Sequence, residues 1–170
     1  MKKLVLPALL ALTLAACSST GPEATDTSAQ NAGAGVATVT AGSASGSGIA
    51  ALTDPNNILS KRSVFFDFDS FVIKPEARPL IEAHARFLVQ NPQMRMLIQG
   101  NTDERGSREY NLALGQKRAD VVKQALMLLG AKEAQIESVS LGEEKPRCED
   151  RTEACYGENR RGDMLYSGEF

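Results

Sequence analysis

Residues 100–119 read GNTDERGSREYNLALGQKRA, a polar and charged loop that runs directly into a helical pattern. Ser107 is a favourable N-cap residue, and Glu109 in the first turn suits the positive end of a helix. We therefore predict that a strand ends at Gly100, that the loop presents Asp103, and that a long helix follows.

The predicted helix carries a polar and a charged residue on the same side. Asn111, Leu114 and Arg118 recur at spacings of three, four and seven, which return to one helix face. Arg118 can then point back towards the loop that carries Asp103. The pair has two interpretations that these residues alone leave open: an internal salt bridge that pins the loop, or a site for a ligand with both charges.

Periodicity on both sides of this stretch predicts the remaining elements. Alternating apolar residues indicate strands at 63–68, 94–99, 136–141 and 161–166, and helical spacing indicates a helix at 75–90. Strands that alternate with long helices predict an α/β (α+β) domain, with helices packed on a sheet.

These patterns also predict two buried faces and the end of the long helix. In the first strand, Val64, Phe66 and Phe68 should share the buried face. Gly130 should end the long helix. The buried stripe of that helix is predicted to consist of Leu114, Val121, Ala125 and Leu128.

The N-terminus has the pattern of a secretory signal peptide over residues 1–16, with two lysines followed by an apolar stretch of about thirteen residues. That stretch is too short to span a bilayer, and the alternative is a buried N-terminal helix. Residues 14–17 read LAAC and resemble the bacterial lipobox. The resemblance implies that Cys17 is acylated and becomes the mature N-terminus, with its acyl chains inserted in a membrane. Ser18, rather than Asp, after the cysteine favours the outer membrane.

Residues 17–57 are predicted to be a lipid-anchored flexible linker, followed by a folded domain over 58–170. The linker is rich in Gly, Ala, Ser and Thr and contains no aromatic residue, so it cannot bury enough apolar surface to offset its ordering entropy. This composition fits two alternatives: a flexible tether that lets the domain reach a distant target, or a spacer of no particular length.

Composition excludes several functions. Without Lys2 and Lys3 the chain has 17 basic and 21 acidic residues, a net charge of −4 with no basic run, which argues against nucleic acid. His84 is the only histidine, so a histidine metal site is excluded, and its apolar helical neighbours favour a core position over a catalytic base. An acid pair such as Asp67 and Asp69 is weak support for glycosidase chemistry. We expect no cofactor and no enzymatic activity.

The loop and helix resemble the hallmark of the OmpA-like peptidoglycan-binding family, T-D-x-x-G-x-x-x-x-N-x-x-L-x-x-x-R-A. Further similarity lies at 64–69, 82–85, 142–146 and 159–161, and covers about residues 60–166. The lipid-anchored branch of the family is the most similar. Gly162 and Asp163 depart from the pattern and weaken the last strand. The matching residues are Thr102, Asp103, Gly106, Asn111, Leu114, Arg118 and Ala119.

The resemblance implies a mixed four-stranded sheet and non-covalent binding of meso-diaminopimelate in the peptide stem of peptidoglycan. The side-chain end of that residue carries an ammonium and a carboxylate. By motif position Asp103 binds the ammonium and Arg118 the carboxylate. The other positions that the resemblance implies are Phe68 and Asp69 as a second wall, Asn101 in the loop that touches the stem, Asn111 and Leu114 shaping the pocket, and Arg160 and Arg161 as assisting residues.

The resemblance also implies partners and a location. The protein would tether the outer membrane, from its periplasmic face, to the cell wall, and would bind the propeller protein TolB. It would act within a Tol-type system in envelope integrity and cell division.

Two cysteines remain once Cys17 carries lipid. Cys148 and Cys155 are seven positions apart in a chain predicted to be exported to an oxidising compartment, so we predict a disulfide. Two free thiols are the alternative. Half of a metal site is disfavoured because no His or other Cys lies nearby.

Overall fold

The computed structural model describes residues 44–170, with side chains from residue 49 onwards. Its order of elements is helix, strand, helix, strand, helix, strand, helix, strand. They are α1 Ala44–Thr53, β1 Ser63–Phe65, α2 Arg78–Gln90, β2 Met96–Asn101, α3 Arg108–Leu128, β3 Ile136–Gly142, α4 Glu153–Asn159 and β4 Arg161–Tyr166.

The four strands form one mixed sheet in the order β1-β4-β2-β3. β4 pairs antiparallel with both β1 and β2, whereas β2 and β3 are parallel. The long helix α3 lies against β2 and β3. The predicted α/β fold with helices on a mixed four-stranded sheet is confirmed.

A close approach of strand and helix fixes α3 over the end of β2. A Cβ atom on Gly100 would lie 1.8 Å from the carbonyl oxygen of Gly115, so only glycine permits this contact. It brings the loop that follows β2 next to the start of α3. The core around it contains Val64, Phe66, Leu88, Ile98, Val122, Leu126, Ile136 and Met164.

Two core predictions were wrong. The first strand ends at Phe65, and beyond buried Phe66 the chain leaves the sheet, so Phe68 is 57% exposed. Asp69, at φ 52°, marks the change of direction. Leu128 is 89% exposed because the buried positions of α3 rotate to Val122 and Leu126. Other predicted helix ends are confirmed: the Ser107 side chain accepts from the Tyr110 N–H, and Gly130 follows α3 at φ 103°.

The predicted linker boundary also needs correction. Residues 44–53 form α1, and Leu52 is only 6% exposed and belongs to the core. The Arg62 guanidinium donates to the Leu52 carbonyl oxygen at 3.1 Å, which holds the end of this helix. Residues 1–43, with the predicted signal peptide, Cys17 and most of the linker, lie outside the described residues.

The unusual pair Gly162-Asp163 is accommodated inside a regular strand. The Asp163 carboxylate accepts from the Arg161 guanidinium at 2.8 Å, from Arg147 at 3.0 Å and from the Ser63 hydroxyl at 2.6 Å. The Asp163 carboxylate, although it lies within the sheet, therefore has three hydrogen-bond donors as partners. The predicted fourth strand, 161–166, is confirmed.

His84 is a core residue, as predicted. It is fully buried, its Nε2–H donates to the Lys61 carbonyl, and its Nδ1 accepts from the Tyr166 hydroxyl, both at 2.8 Å. Burial lowers the pKa of His84 to about 4, so the ring is neutral at physiological pH. Over residues 44–170, no helix is long and apolar enough to cross a membrane.

Candidate functional site

A cleft of about 360 Å³ opens where the loop after β2 meets the start of α3 and the loop after β1. Its walls combine aromatic, acidic and basic side chains. Six of the seven residues predicted to bind the ligand line it: Phe68, Asp69, Asp103, Asn111, Leu114 and Arg118. The remaining lining residues are Thr102, Arg105, Gly106, Tyr110 and Arg160.

Arg118 is the most buried charge of the cleft, with no exposed surface. Its guanidinium donates to three main-chain carbonyls: Ser70 at 2.8 Å, Asn101 at 2.8 Å and Asp67 at 3.1 Å. It therefore ties the loop after β1 to the end of β2. Burial lowers its pKa to about 10, which leaves it cationic at neutral pH.

Asp103 does not pair with Arg118, which rules out the simple salt bridge considered from the sequence. Its carboxylate accepts from the Arg105 guanidinium at 2.8 Å, from Arg160 at 3.0 Å and from the Arg105 N–H at 3.1 Å. Burial raises the pKa of Asp103, but these hydrogen bonds outweigh burial and hold it below the ordinary value. The cleft thus contains an ionised acid that is only 4% exposed.

Arg160 is a rigid part of the wall. Its guanidinium donates to the Phe66 carbonyl at 3.2 Å, to Asp103 and to Glu153 at 2.7 Å. Arg161, the other arginine suggested by the resemblance, pairs with Asp163 and does not line the cleft.

Asn101 is not a lining residue, contrary to the prediction. Its side chain is buried and donates to the Gln99 carbonyl at 3.0 Å, because the residue still belongs to strand β2 rather than to the loop. It contributes through its main-chain carbonyl, which accepts from Arg118. Asn111 is buried and donates to Glu143, which suits a residue that shapes the wall.

Tyr110 joins the two sides of the cleft mouth. Its hydroxyl donates to the Asp69 carboxylate, and this hydrogen bond raises the pKa of the tyrosine. Asp69 is thereby held at the rim next to exposed Phe68. The predicted second wall is thus part of the cleft.

Arg105 was missed by sequence reasoning. Its guanidinium lies 4.1 Å from the Phe68 ring and 4.5 Å from the Tyr156 ring, while it donates to Asp103. The sequence places Arg105 in the charged loop, but its aromatic partners come from distant segments. The clustering of these residues is therefore a consequence of the fold.

The disulfide holds the segment that supplies Tyr156. Cys148 and Cys155 are bonded, with their Cα atoms 5.3 Å apart. The Asn159 side chain also binds this loop, because it accepts from the N–H groups of Arg147 and Cys148. Between them, these bonds position α4 beside the cleft. No cluster of acids, histidines or cysteines that could hold a metal occurs within the described part of the chain.

The fold and the site define an α/β domain with a charged cleft at the strand ends. Residues 65–160 match the model of the OmpA family. The chain belongs to the OmpA family.

Curated relatives are named peptidoglycan-associated lipoprotein. The one from Pasteurella multocida is 46% identical over 104 residues, covering 61% of this chain and 69% of that protein. The one from Pseudomonas aeruginosa is 38% identical over 165 residues, covering 92% of this chain and 94% of that protein.

A crystal structure of the peptidoglycan-associated lipoprotein from Burkholderia pseudomallei is 55% identical and superposes with a TM-score of 0.68. The match covers 69% of this chain and 99% of that one. The solved chain of that relative thus corresponds almost entirely to the matched part of this one.

Proposed function

We propose that the domain binds the peptide stem of peptidoglycan without covalent chemistry, with the side-chain end of meso-diaminopimelate in the cleft. The observation that carries this proposal is the presence of a buried carboxylate, Asp103, and a buried guanidinium, Arg118, in the walls of one cavity. The ligand end has the complementary pair of charges, an ammonium and a carboxylate. The relatives' name supports peptidoglycan as the source of that ligand.

Arg118 is suited to bind the carboxylate. A guanidinium has five N–H donors, and three are used on main-chain carbonyls. Two have no protein partner among the described residues, in an orientation that the three anchored bonds fix, and a carboxylate reaches them once the side chains covering Arg118 move aside. Because the group is already desolvated by the protein, a carboxylate gains a strong, directed partner.

Asp103 is suited to bind the ammonium because it is held ionised. Because its pKa is depressed, the carboxylate stays negatively charged even when the pH is well below neutral. Phe68 and Leu114 add apolar surface for the methylene groups that separate the charged end from the peptide. The proposal therefore accounts for both ends of the side chain and for the aliphatic segment between them.

The proposed activity is binding and not catalysis. Incubation with purified sacculi would release no soluble fragments on this proposal. Release of muropeptides would favour a hydrolase.

Sedimentation with purified sacculi tests the proposal. We expect residues 44–170 to pellet with diaminopimelate-containing sacculi, and Asp103→Asn to weaken binding roughly 30-fold or more, the usual loss when one member of a buried charge pair is removed. Asp54→Asn is a matched control, because Asp54 is exposed and does not line the cleft. Wild-type-like binding by Asp103→Asn would contradict the assigned site.

The proposal for the whole chain includes an anchor on Cys17 that holds it at the periplasmic face of the outer membrane, so that the domain links membrane and wall. Cys17→Ser removes the thiol that accepts the lipid, and we expect the variant to lose labelled palmitate and leave the membrane fraction. Retention of labelled lipid by the variant would contradict the anchor.

The proposed protein partner is TolB, a component of the Tol-type system that acts in envelope integrity and cell division. Phe68, Phe71 and Val72 are exposed in the loop after β1, which gives a protein partner apolar surface. Surface-immobilised TolB should capture residues 44–170, and stem peptide should release the domain if the two sites overlap. No capture at micromolar concentration would exclude this partner.

A further inference from the structure

The hydrogen bonds around Asp103 leave its carboxylate no room for an ammonium. Its side chain is 4% exposed, and Oδ2 accepts from both Arg105 and Arg160. Oδ1 accepts from the Arg105 N–H. An incoming ammonium therefore meets a carboxylate that two cations already cover, and one of them must move.

The two arginines differ in how firmly they are held. The Arg160 side chain is 9% exposed and is fixed by the Phe66 carbonyl, Asp103 and Glu153. The Arg105 side chain is 35% exposed, and its Nε is buried without a hydrogen-bond partner. Arg105 is thus the cation that can leave at lower cost.

Arg105 also has contacts outside the cleft that can hold its guanidinium once it leaves Asp103. On its inner side it contacts Phe68 and Asp103, both of which line the cleft. On its outer side it contacts the Tyr156 ring, and its NH1 lies 3.3 Å from a Glu153 carboxylate oxygen. If the inner contacts break, the outer ring and carboxylate retain the guanidinium near α4.

We propose that Arg105 is a displaceable counter-ion of Asp103: it covers the carboxylate at the wall of the cleft and gives way to the ligand's ammonium. This inference rests on the proposed function, because it concerns the same carboxylate. Arg105 is then a residue that sets affinity by competition: the ligand must break the Arg105–Asp103 pair and the Phe68 stack before it binds.

Replacing Arg105 by a neutral side chain should therefore strengthen binding. The test is calorimetric titration of residues 44–170 with the stem tripeptide L-alanyl-γ-D-glutamyl-meso-diaminopimelate. For Arg105→Met and Arg105→Gln we expect the Kd to fall roughly 5- to 30-fold, on the scale of one exposed cation–π and ion-pair contact. Two different neutral side chains separate the loss of charge from any new contact made by methionine.

Arg108→Met is the control for loss of one positive charge. Arg108 is 73% exposed, pairs with Glu144 and does not line this cleft. We expect its Kd to change less than about twofold. Thermal unfolding of all variants checks that the domain is intact.

Weaker or unchanged binding by the Arg105 variants, with a wild type that binds, would overturn this inference and leave the proposed function standing. An equal gain in Arg108→Met, or a gain for methionine alone, would also overturn it. No binding by wild type and variants alike would contradict both, because no ligand would then displace Arg105.

Discussion

Arg118→Met tests how far the cleft depends on one buried guanidinium. The substitution leaves three main-chain carbonyls, those of Asp67, Ser70 and Asn101, without their donor. A buried acceptor without a partner costs about 1–3 kcal/mol, and neighbouring losses are not additive, so we expect destabilisation of about 3–6 kcal/mol. Domains of this size are stable by about 5–15 kcal/mol, so the loss is large.

Urea unfolding of residues 44–170 at neutral pH measures this loss. With a slope of about 2 kcal/mol per molar urea, the midpoint should fall by roughly 1.5–3 M. Arg108→Met, an exposed arginine paired only with Glu144 across the surface, should change stability by less than about 1 kcal/mol. An unchanged midpoint for Arg118→Met would refute the claim that this guanidinium holds the loop after β1. If the loss occurs, failure of Arg118 variants to bind ligand does not identify a contact, and Asp103 is the better probe of the site.

Three further results are expected. Reduction of the Cys148–Cys155 disulfide should lower the unfolding free energy by at most about 2.5 kcal/mol, seen in thermal melts with and without reductant, because the closed loop is short; a larger loss would contradict this entropic origin. The folded-state pKa of His84 lies below its unfolded value, so its contribution to stability is full above pH 6.5 and is lost as the pH falls to about 4, by about 3 kcal/mol in total. Urea titrations across this range should show a much steeper slope in wild type than in His84→Gln, in which only carboxylates such as Asp103 titrate. Gly100→Ala should destabilise by more than about 2 kcal/mol through its clash with backbone, whereas Gly157→Ala, whose Cβ would meet only a guanidinium end at 3.6 Å, should be neutral or stabilising in the same melts.

The sheet and long helices could be predicted because their apolar residues recur at regular spacing. The error at Phe68 arose where that spacing continued beyond the end of the strand. Hydrophobic alternation predicts a face, but the strand stops once Phe66 N–H donates to the Arg160 carbonyl and the chain turns away. Likewise, Leu52 lies near the predicted linker's end in a segment of mostly small residues, and its core position depends on tertiary contacts.

The site was predictable to the extent that its residues lie in one short motif. Asp103 and Arg118 both line the cleft, but their partners come from elsewhere: carbonyls after β1 for Arg118, and Arg160 from the end of the chain for Asp103. Main-chain carbonyls have no sequence signal, so the role of Arg118 as a structural donor was not foreseeable. Stacking of Arg105 between distant aromatic rings is another product of tertiary structure.

The central claim is that the cleft binds an ammonium and a carboxylate at the same time. Calorimetric titration of residues 44–170 with two stem tripeptides, one ending in meso-diaminopimelate and the other in L-lysine, tests it most directly. The lysine peptide retains the side-chain ammonium and lacks only the carboxylate proposed to bind Arg118. We expect the diaminopimelate peptide to bind at least roughly 30-fold more tightly, the scale of one desolvated charge pair. Equal affinity for the two peptides would contradict the claim.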